Sequence, residues 1–237
     1  MRAVILAGGK GTRLAPYTTV FPKPLVPIGD MPILEVVVRQ LHRAGVCQIT
    51  MAVGHLAELL MAFFGDGSRF GVRIDYSRED EPLGTAGPLA QISGLEDAFL
   101  VMNGDVLTTL DYTALVAYHR EHGAAATIAM HERSVKIDLG VIEVNDDNRV
   151  VQYLEKPTHD YRVSMGIYVF EPSVLRYIER GVRLDFPELI WKLLADNEPV
   201  LGYPYDGYWL DIGRPDDYTR AVAEFEQMRD QFLPEGP

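Results

Sequence analysis

The sequence predicts an α/β fold in which a mostly parallel sheet is covered by helices on both faces. Short apolar segments alternate with segments of helical periodicity along much of the chain. Two of the apolar segments lead directly into polar loops, GGKGTR and NGD. In an open α/β sheet, ligands gather at the carboxyl ends of the strands. We therefore expect a ligand site at the edge where these two loops lie.

The N-terminal half alternates strands and helices, beginning with a strand. Residues Ala3 to Leu6 are apolar and partly β-branched and are followed by glycines, which is typical of a buried strand. The segment MPILEVVVRQLHRAG places its apolar side chains on one helical face and ends at a glycine. Further strands are predicted at QITMAV, VRIDY and FLVM, and further helices at HLAELLMAFF and TAGPLAQIS.

Past residue 123 the pattern changes to shorter strands. They are predicted at ATIAMH, GVIEV, VVQYL and GIYVF, with NDDN as a turn between the second and the third. Helices are predicted around Leu175 and Leu189, and a terminal helix is predicted over DYTRAVAEFEQMRDQF. We see no linker or repeat, so one domain over residues 1–237 is expected.

Composition and charge exclude several classes of function. The chain has 22 Lys and Arg against 34 Asp and Glu, a formal charge of −12, which argues against non-specific binding to nucleic acid or to anionic membranes. The single cysteine, Cys47, excludes an intrachain disulfide and a Cys-rich metal site, and we expect it in the core. No apolar run reaches the roughly 18 residues of a membrane span, and no signal peptide is evident. A cytoplasmic protein is expected.

The loop after the first strand has the chemistry of a phosphate site. Glycines let backbone N–H groups come within hydrogen-bond distance of a phosphate. The dinucleotide-binding pattern fails because Leu14 replaces its third glycine, and the P-loop pattern fails because Gly11 follows Lys10 where Ser or Thr is needed. What remains is a glycine loop with Arg13, and with Lys23 between two prolines that restrict its backbone. This combination predicts a site for a polyanion.

Acidic residues stand at two later strand ends. Asp105 follows FLVM and its NGD loop, and Asp211 stands in the similar context YWLDIG. Two carboxylates beside a phosphate site suit Mg²⁺, which is commonly held by one or two carboxylates, phosphate oxygens and water. The histidines show no metal-ligand spacing, and we expect His119 and His122 on a solvated helix face. No serine has the context of a nucleophile elbow.

Six ordered motifs resemble those of the sugar-1-phosphate nucleotidylyltransferases. The most extensive is GGKGTRLAPYTTVFPKPLVPIG, and the others are EPLGTAGPL, NGD, EKP, SMGIYVF and DIGRPDDY. The motifs resemble most closely those of the mannose-1-phosphate and heptose-1-phosphate guanylyltransferases. The resemblance implies a Rossmann-like nucleotidyltransferase fold with a nucleotide-binding half, residues 1–123, and a sugar-binding half with the terminal helix, residues 124–237. It also implies that the left-handed β-helix domain of some relatives is absent.

The resemblance further implies an enzyme that joins a sugar 1-phosphate to a nucleoside monophosphate and releases pyrophosphate. Its catalytic residues would be Arg13, Lys23, Asp105, Lys156 and Asp211, with Asp105 and Asp211 as the Mg²⁺ ligands. The nucleotide would contact Leu6, Ala7, Gly8, Gly9, Gly11, Thr12, Arg13, Glu79, Pro82, Gly84 and Thr85. The sugar phosphate would contact Asn103, Gly104, Gly140, Glu155, Lys156, Ser164 and Gly166.

The base and the sugar are less well determined by the sequence. Glu79 stands where pyrimidine-using relatives usually offer a glutamine, and an ionised carboxylate can only accept hydrogen bonds. It complements the N1–H and N2–H₂ donors of guanine, so GTP is expected. The alternatives are a thymidylyl-, uridylyl- or cytidylyltransferase acting on glucose 1-phosphate or a related sugar or amino sugar phosphate, a molybdopterin-type cofactor nucleotidylyltransferase, and a non-catalytic subunit that senses nucleotide sugars. The sequence identifies neither the sugar nor the pathway, and a homo-oligomer stays open.

Overall fold

A computed structural model describes residues 1–234 and contains one large sheet flanked by helices. Its strands are β1 (Arg2–Ala7), β2 (Pro27–Ile28), β3 (Met31–Pro32), β4 (Gln48–Val53), β5 (Arg73–Arg78), β6 (Phe99–Asn103), β7 (Val106–Thr108), β8 (Ala126–Lys136), β9 (Val141–Val144), β10 (Val150–Leu154), β11 (Thr158–Phe170), β12 (Val200–Tyr205) and β13 (Trp209–Asp211). Its α-helices are α1 (Ile33–Arg43), α2 (Ala57–Phe64), α3 (Tyr112–Glu121), α4 (Phe186–Ala195) and α5 (Pro215–Phe232). Short 3₁₀ helices lie at Thr12–Leu14, Tyr17–Thr19, Lys23–Leu25, Ser68–Phe70, Gly87–Gln91 and Pro172–Tyr177.

The central sheet has seven strands in the order β12-β8-β11-β6-β1-β4-β5. All neighbouring pairs are parallel except the two that β11 makes, with β6 and with β8. The predicted mixed, mostly parallel sheet is therefore confirmed. Because β11 runs against the other six strands, its first residues lie at the edge where the others end.

Both faces of the sheet are buried, as the apolar strand sequences predict. Side chains alternate between faces along a strand. In β1, Ile5 packs in a cluster that contains residues of α1, α2 and α3, whereas Val4 packs in a second cluster that contains residues of α4. A third cluster joins α5 to the loop that carries Leu14 and to Leu210 of β13. This third cluster brings the two ends of the chain together beside the sheet.

The structure differs from the predicted elements in a few places. Strands β8 and β11 are longer than predicted because they pair with each other beyond the core, out to Lys136 and Thr158. The segment TAGPLAQIS contains only a 3₁₀ helix, at Gly87–Gln91, in which Pro88 lacks a backbone N–H. Strand β12 had not been predicted, and α3 had been expected only as a helix that carries His119 and His122, without bounds. Asp111 caps α3 by accepting hydrogen bonds from the backbone N–H of the second and third helical residues.

Two side chains lie in environments opposite to those expected. His119 is fully buried: its Nδ1 lies 2.8 Å from Thr127 Oγ1 and its Nε2 lies 3.3 Å from Glu171 Oε1. Because α3 packs against β8 and β11, this face of the helix is not solvated, and only His122 is exposed. Cys47 is exposed rather than in the core, since it lies in the turn between α1 and β4.

The terminal helix is confirmed as α5, Pro215–Phe232. Residues 235–237 of the expected domain lie outside the described part of the chain. Within residues 1–234, no helix is both long enough and apolar enough to cross a bilayer.

Candidate active site

The parallel strands β6, β1, β4 and β5 end side by side, and the predicted site residues follow them. The glycine loop follows β1, the NGD loop follows β6 and Glu79 follows β5. The backbone of Gly104 donates a hydrogen bond to Leu6 O at 3.0 Å, and that of His55 donates one to Gly8 O at 3.2 Å. The loops are therefore joined to one another through their backbones, as expected for the carboxyl edge of such a sheet.

The glycine loop packs closely against the segment that carries Lys23. Gly11 has φ +60°, and a Cβ atom there would lie 3.0 Å from both Lys23 Cβ and Thr18 Cγ2. The Thr18 hydroxyl donates a hydrogen bond to Gly11 O at 2.8 Å. Glycine is needed here because of both the left-handed backbone and the lack of space. The packing leaves the side chains of Thr12 and Arg13 exposed at the edge of the sheet.

The structure brings Lys23 and Asp105 together as an ion pair. Lys23 is only 8% exposed, and its ammonium donates a hydrogen bond to Asp105 Oδ2. A buried charge of either sign is costly without a partner. The pair thus joins the proline-flanked lysine to the NGD loop, two motifs that are about 80 residues apart in the sequence.

Asp211 lies next to this pair because β13 and β7 form a short antiparallel ladder. Asp211 is opposite Val106, and the Ile212 N–H donates a hydrogen bond to Asp105 O at 3.2 Å. Burial raises the pKa of Asp211, the Asp105 carboxylate raises it further, and the nearby Lys23 and Arg13 oppose both effects. The carboxylates of Asp105 and Asp211 thus repel each other in a partly desolvated site, and this repulsion favours binding of a cation between them.

The two carboxylates could hold a divalent metal ion whose other ligands come from outside the protein. No cluster of three or more His, Cys, Asp or Glu side chains within residues 1–234 could hold a metal. A site with only two carboxylates suits Mg²⁺, which often takes its remaining ligands from phosphate oxygens and water. Asp105 and Asp211 are the residues that would hold it, and Lys23 is the cation that now neutralises Asp105.

Glu79 lies against the glycine loop. One of its carboxylate oxygens accepts a hydrogen bond from the Leu83 N–H at 2.9 Å, and the other would lie 2.7 Å from a Cβ atom at Gly8. Burial raises the pKa of Glu79, and the Leu83 N–H partly offsets this effect. The structure therefore brings Glu79 next to a predicted nucleotide-binding glycine, with one carboxylate oxygen facing that loop.

The second glycine motif is attached to the start of α4. Gly84 has φ +78°, and a Cβ atom there would lie 2.6 Å from Leu184 O. The Thr85 N–H donates to Asp185 Oδ1 at 2.9 Å, and the Thr85 hydroxyl accepts from the Phe186 N–H at 2.8 Å. Both polar groups of Thr85 are thus engaged in this junction. Pro82, two residues before Gly84, is exposed.

Three of the predicted sugar-phosphate residues form a group where β6 and β11 meet. Gly166 has φ +72°, and a Cβ atom there would lie 2.5 Å from Asn103 Nδ2. The Gly166 N–H donates to Ser164 Oγ at 3.2 Å, and the Ser164 hydroxyl donates to Tyr168 Oη at 3.0 Å. The pairing of β11 with β8 is irregular between Ser164 and Tyr168. This irregularity turns the backbone so that Ser164, Gly166 and Asn103 meet.

Of the other predicted sugar-phosphate residues, Gly104 follows β6, and Gly140, Glu155 and Lys156 lie at the open end of the hairpin of β9 and β10, which is a separate two-stranded sheet. A Cβ atom at Gly140 would collide with Tyr153 Oη, and this hydroxyl donates to Glu155 Oε2 at 3.2 Å. Glu155 and Lys156 are both exposed. Lys156 has φ +48°, a left-handed conformation that is uncommon outside glycine and that frequently marks functional positions.

A cavity of about 460 Å³ adjoins Asp211 and contains residues that the sequence analysis missed. Arg13 and Asp211 lie in its wall, together with Arg133, Arg214 and Arg220. Arg214 stands inside the motif DIGRPDDY and could have been noticed there. Arg133 is far from any motif and reaches the cavity only because β8 extends beyond the core.

Proteins with similar sequences have names that agree with the family indicated by the motifs. The chain is 38% identical to a UTP–glucose-1-phosphate uridylyltransferase of Synechocystis sp., over 94% of this chain and 62% of the relative. It is 36% identical to a mannose-1-phosphate guanylyltransferase of Mycobacterium tuberculosis, over 94% and 64%. The chain thus spans less than two thirds of the length of these two relatives.

A solved structure agrees as well. The crystal structure of HddC from Yersinia pseudotuberculosis, complexed with GMP-PN, superimposes with a TM-score of 0.73 at 26% identity, over 94% of this chain and 99% of that one. A family model described as nucleotidyl transferase matches residues 2–228. These similarities confirm the Rossmann-like nucleotidyltransferase fold and the family resemblance. The chain belongs to the nucleotidyl transferase family.

Proposed function

We propose that this chain transfers the nucleoside monophosphate of a nucleoside triphosphate to a hexose or heptose 1-phosphate. The observation that carries the proposal is the convergence of the glycine loop, the Lys23–Asp105 pair and Asp211 at one edge of the sheet. Residues 1–123 would bind the nucleotide. Residues of 124–237, with the NGD loop, would bind the sugar phosphate. The family membership and the names of the relatives support this assignment.

The reaction needs no covalent enzyme intermediate. A phosphate oxygen of the sugar 1-phosphate attacks the α-phosphorus and forms a new P–O bond. The bond from the α-phosphorus to the bridging oxygen breaks, and its electron pair leaves with pyrophosphate. Because both reactants are anions, the protein acts mainly by holding them in line and by neutralising their charge. Backbone N–H groups of the glycine loop, Arg13 and Lys23 would act on the triphosphate, and Lys156 would act on the sugar phosphate.

The carboxylates Asp105 and Asp211 would hold Mg²⁺ on the nucleotide. When bound, this ion neutralises charge that develops on the transferring phosphate. Binding of a metal to Asp105 would compete with Lys23 for the same carboxylate, and Lys23 would then be free to contact a phosphate. Asp105 would thus exchange one cation for another without being left unpaired.

We propose GTP as the preferred triphosphate. Glu79 faces Gly8 with a carboxylate oxygen that can only accept hydrogen bonds when ionised. Guanine offers adjacent N–H donors to such a group, whereas the carbonyls of uracil would be repelled by it. The mannose-1-phosphate guanylyltransferase relative and the HddC complex with GMP-PN support guanine. The uridylyltransferase relative supports the competing assignment, which is UTP.

The test is a competition between GTP, UTP and dTTP at equal concentration, with a panel of sugar 1-phosphates that includes mannose and glucose 1-phosphate. We expect pyrophosphate release, with GTP consumed first. Glu79→Gln should reduce the preference for GTP over UTP by roughly 1 to 3 kcal/mol, the cost of disturbing a desolvated polar pair. Glu81→Gln, at an exposed position of the same loop, is the matched control. If a pyrimidine triphosphate wins, the guanine assignment fails, and if no triphosphate is consumed, the enzymatic proposal fails.

A further inference from the structure

The wall of the cavity beside Asp211 contains more arginines than acids, although the chain as a whole is acidic; the acids of this wall are Glu132, Asp211 and Asp217. Four arginines lie in its wall: Arg13 from the glycine loop, Arg133 from β8, Arg214 immediately before α5 and Arg220 within α5. They come from three separate segments, although the chain as a whole has a formal charge of −12. Only the tertiary structure brings them together.

Three of these arginines have no acidic partner. Arg220 donates a hydrogen bond to Glu224 at 2.9 Å and is thereby neutralised. Among the side chains of residues 1–234, Arg13, Arg133 and Arg214 form no ion pair. Asp217, which also lies in the wall, is engaged by the Arg214 backbone instead, because its Oδ2 accepts a hydrogen bond from the Arg214 N–H at 2.9 Å. The cavity therefore holds three guanidinium groups that are available to a ligand.

The cavity reaches one of the two candidate catalytic carboxylates, Asp211. A Cβ atom at Gly213 would lie 3.5 Å from Asp211 Oδ2 and 3.7 Å from both Arg13 Nη1 and Asp217 Oδ2. Asp211 Oδ2 and Arg13 Nη1 thus both lie close to Gly213 in the wall of the cavity. A phosphate group there would be within reach of Arg13, which belongs to the glycine loop, and of a cation held by Asp211.

We propose that Arg133 and Arg214 form a second anion-binding subsite, which receives a phosphate group next to Asp211. Guanidinium groups bind phosphate through paired hydrogen bonds and stay charged at any physiological pH. The proposal rests on the proposed function, which supplies two sources of such a group: the pyrophosphate that leaves and the phosphate of the sugar substrate. Pyrophosphate and the sugar phosphate both present anionic phosphate oxygens, and in the proposed reaction both come close to Asp105 and Asp211.

Trp209 provides a local reporter because it lies in the wall of the same cavity. The other tryptophan, Trp191, is 67% exposed on α4 and can be removed by Trp191→Phe. In that background, binding of inorganic pyrophosphate and of mannose 1-phosphate would be measured without Mg²⁺, by Trp209 fluorescence and by titration calorimetry. Arg133→Gln and Arg214→Gln would be compared with Arg180→Gln, an exposed arginine outside the cavity.

We expect each cavity variant to weaken binding of one of the two probes roughly tenfold or more, which is typical for loss of a hydrogen bond to a charged group. Weakened pyrophosphate binding assigns the subsite to the leaving group, and weakened mannose 1-phosphate binding assigns it to the sugar substrate. The proposal is overturned if the unmodified protein binds neither probe, or if both cavity variants match Arg180→Gln. Turnover is measured separately, so a protein that binds pyrophosphate through these arginines but transfers no nucleotide would contradict the proposed function alone.

Discussion

Two lysines assigned to phosphate binding lie in opposite environments. Lys23 is 8% exposed and paired with Asp105, whereas Lys156 is exposed and forms no ion pair within residues 1–234. The first is held by a packed loop against the central sheet. The second lies at the base of the two-stranded hairpin of β9 and β10, whose apolar side chains are largely exposed. The proposed nucleotide side is thus preorganised at Lys23, while Lys156 on the proposed sugar side must become ordered when a ligand binds, at a cost in conformational entropy.

The hairpin itself shows why the two sides differ. Val150 and Val151 are 61% and 63% exposed, whereas the apolar side chains of β1 such as Ile5 are fully buried. Without apolar packing on either face, a two-stranded sheet is only marginally stable. We therefore interpret the hairpin as the adaptable wall of the site and the edge of the central sheet as the rigid one.

The largest expected effect is on turnover, in variants of the edge of the central sheet that we interpret as the rigid wall. Asp105→Asn and Asp211→Asn should each lower turnover by about 10²- to 10³-fold, because one charge contact at the transferring phosphate is lost. Pyrophosphate release would be measured over a range of Mg²⁺ concentrations, with circular dichroism as a check of the fold. Asp97→Asn, at an exposed position away from the site, should behave like the unmodified protein. Unchanged turnover in both variants at limiting Mg²⁺ would contradict the role of these carboxylates.

The second prediction compares the two lysines directly. Lys23→Ala should lower the free energy of unfolding by roughly 1 to 3 kcal/mol, because Asp105 is left largely buried and unpaired beside Asp211. Lys156→Ala should change it by no more than about 0.5 kcal/mol, as is usual for an exposed side chain. Urea denaturation measures both values.

The same variants also separate the two substrates. Lys156→Ala should raise the KM for the sugar 1-phosphate more than the KM for the nucleotide, since the hairpin belongs to the proposed sugar side. If Lys23→Ala and Lys156→Ala lower the free energy of unfolding equally, the edge of the central sheet is not the more rigid of the two walls. If Lys156→Ala raises mainly the nucleotide KM, the two halves have been assigned in the wrong order.

The smallest expected effect concerns the buried His119 of α3, which contacts Thr127 of β8 and Glu171. Burial lowers the pKa of His119, Arg120 lowers it slightly, and Glu171 opposes this shift. The unfolded chain then binds a proton at His119 more readily than the folded protein does. The contribution of His119 to the free energy of unfolding is therefore fully present above its ordinary pKa of about 6.5 and is lost as the pH falls below that value.

His119→Gln should therefore flatten the dependence of unfolding free energy on pH below about 6.5. His122→Gln is the matched control because His122 is on the same helix but exposed, and it should leave the slope unchanged. Urea denaturation at several pH values measures the slopes. A slope that stays the same in His119→Gln would mean that His119 keeps its ordinary pKa in the folded protein.

Much of the fold was predictable because its signals are local. The apolar runs of β1, β4 and β6 and the periodicity of α1 are properties of short segments, and all of these elements are confirmed. The long pairing of β8 with β11 was missed because their outer residues are polar and exposed and are held by the ladder between them. The burial of His119 was missed for a related reason, since the neighbours that cover it come from β8 and from Glu171.

The sequence by itself indicated most of the strands and helices in their order, predicted a polyanion site at the glycine loop and contained the motifs that mark the family. These properties depend on which residues are adjacent in the chain. Only the tertiary structure decided that β11 runs against its neighbours, that Lys23 pairs with Asp105, and that Arg133 and Arg214 share a cavity with Asp211. Each of these depends on contacts between segments far apart in sequence, which form only when the whole sheet and α5 pack together.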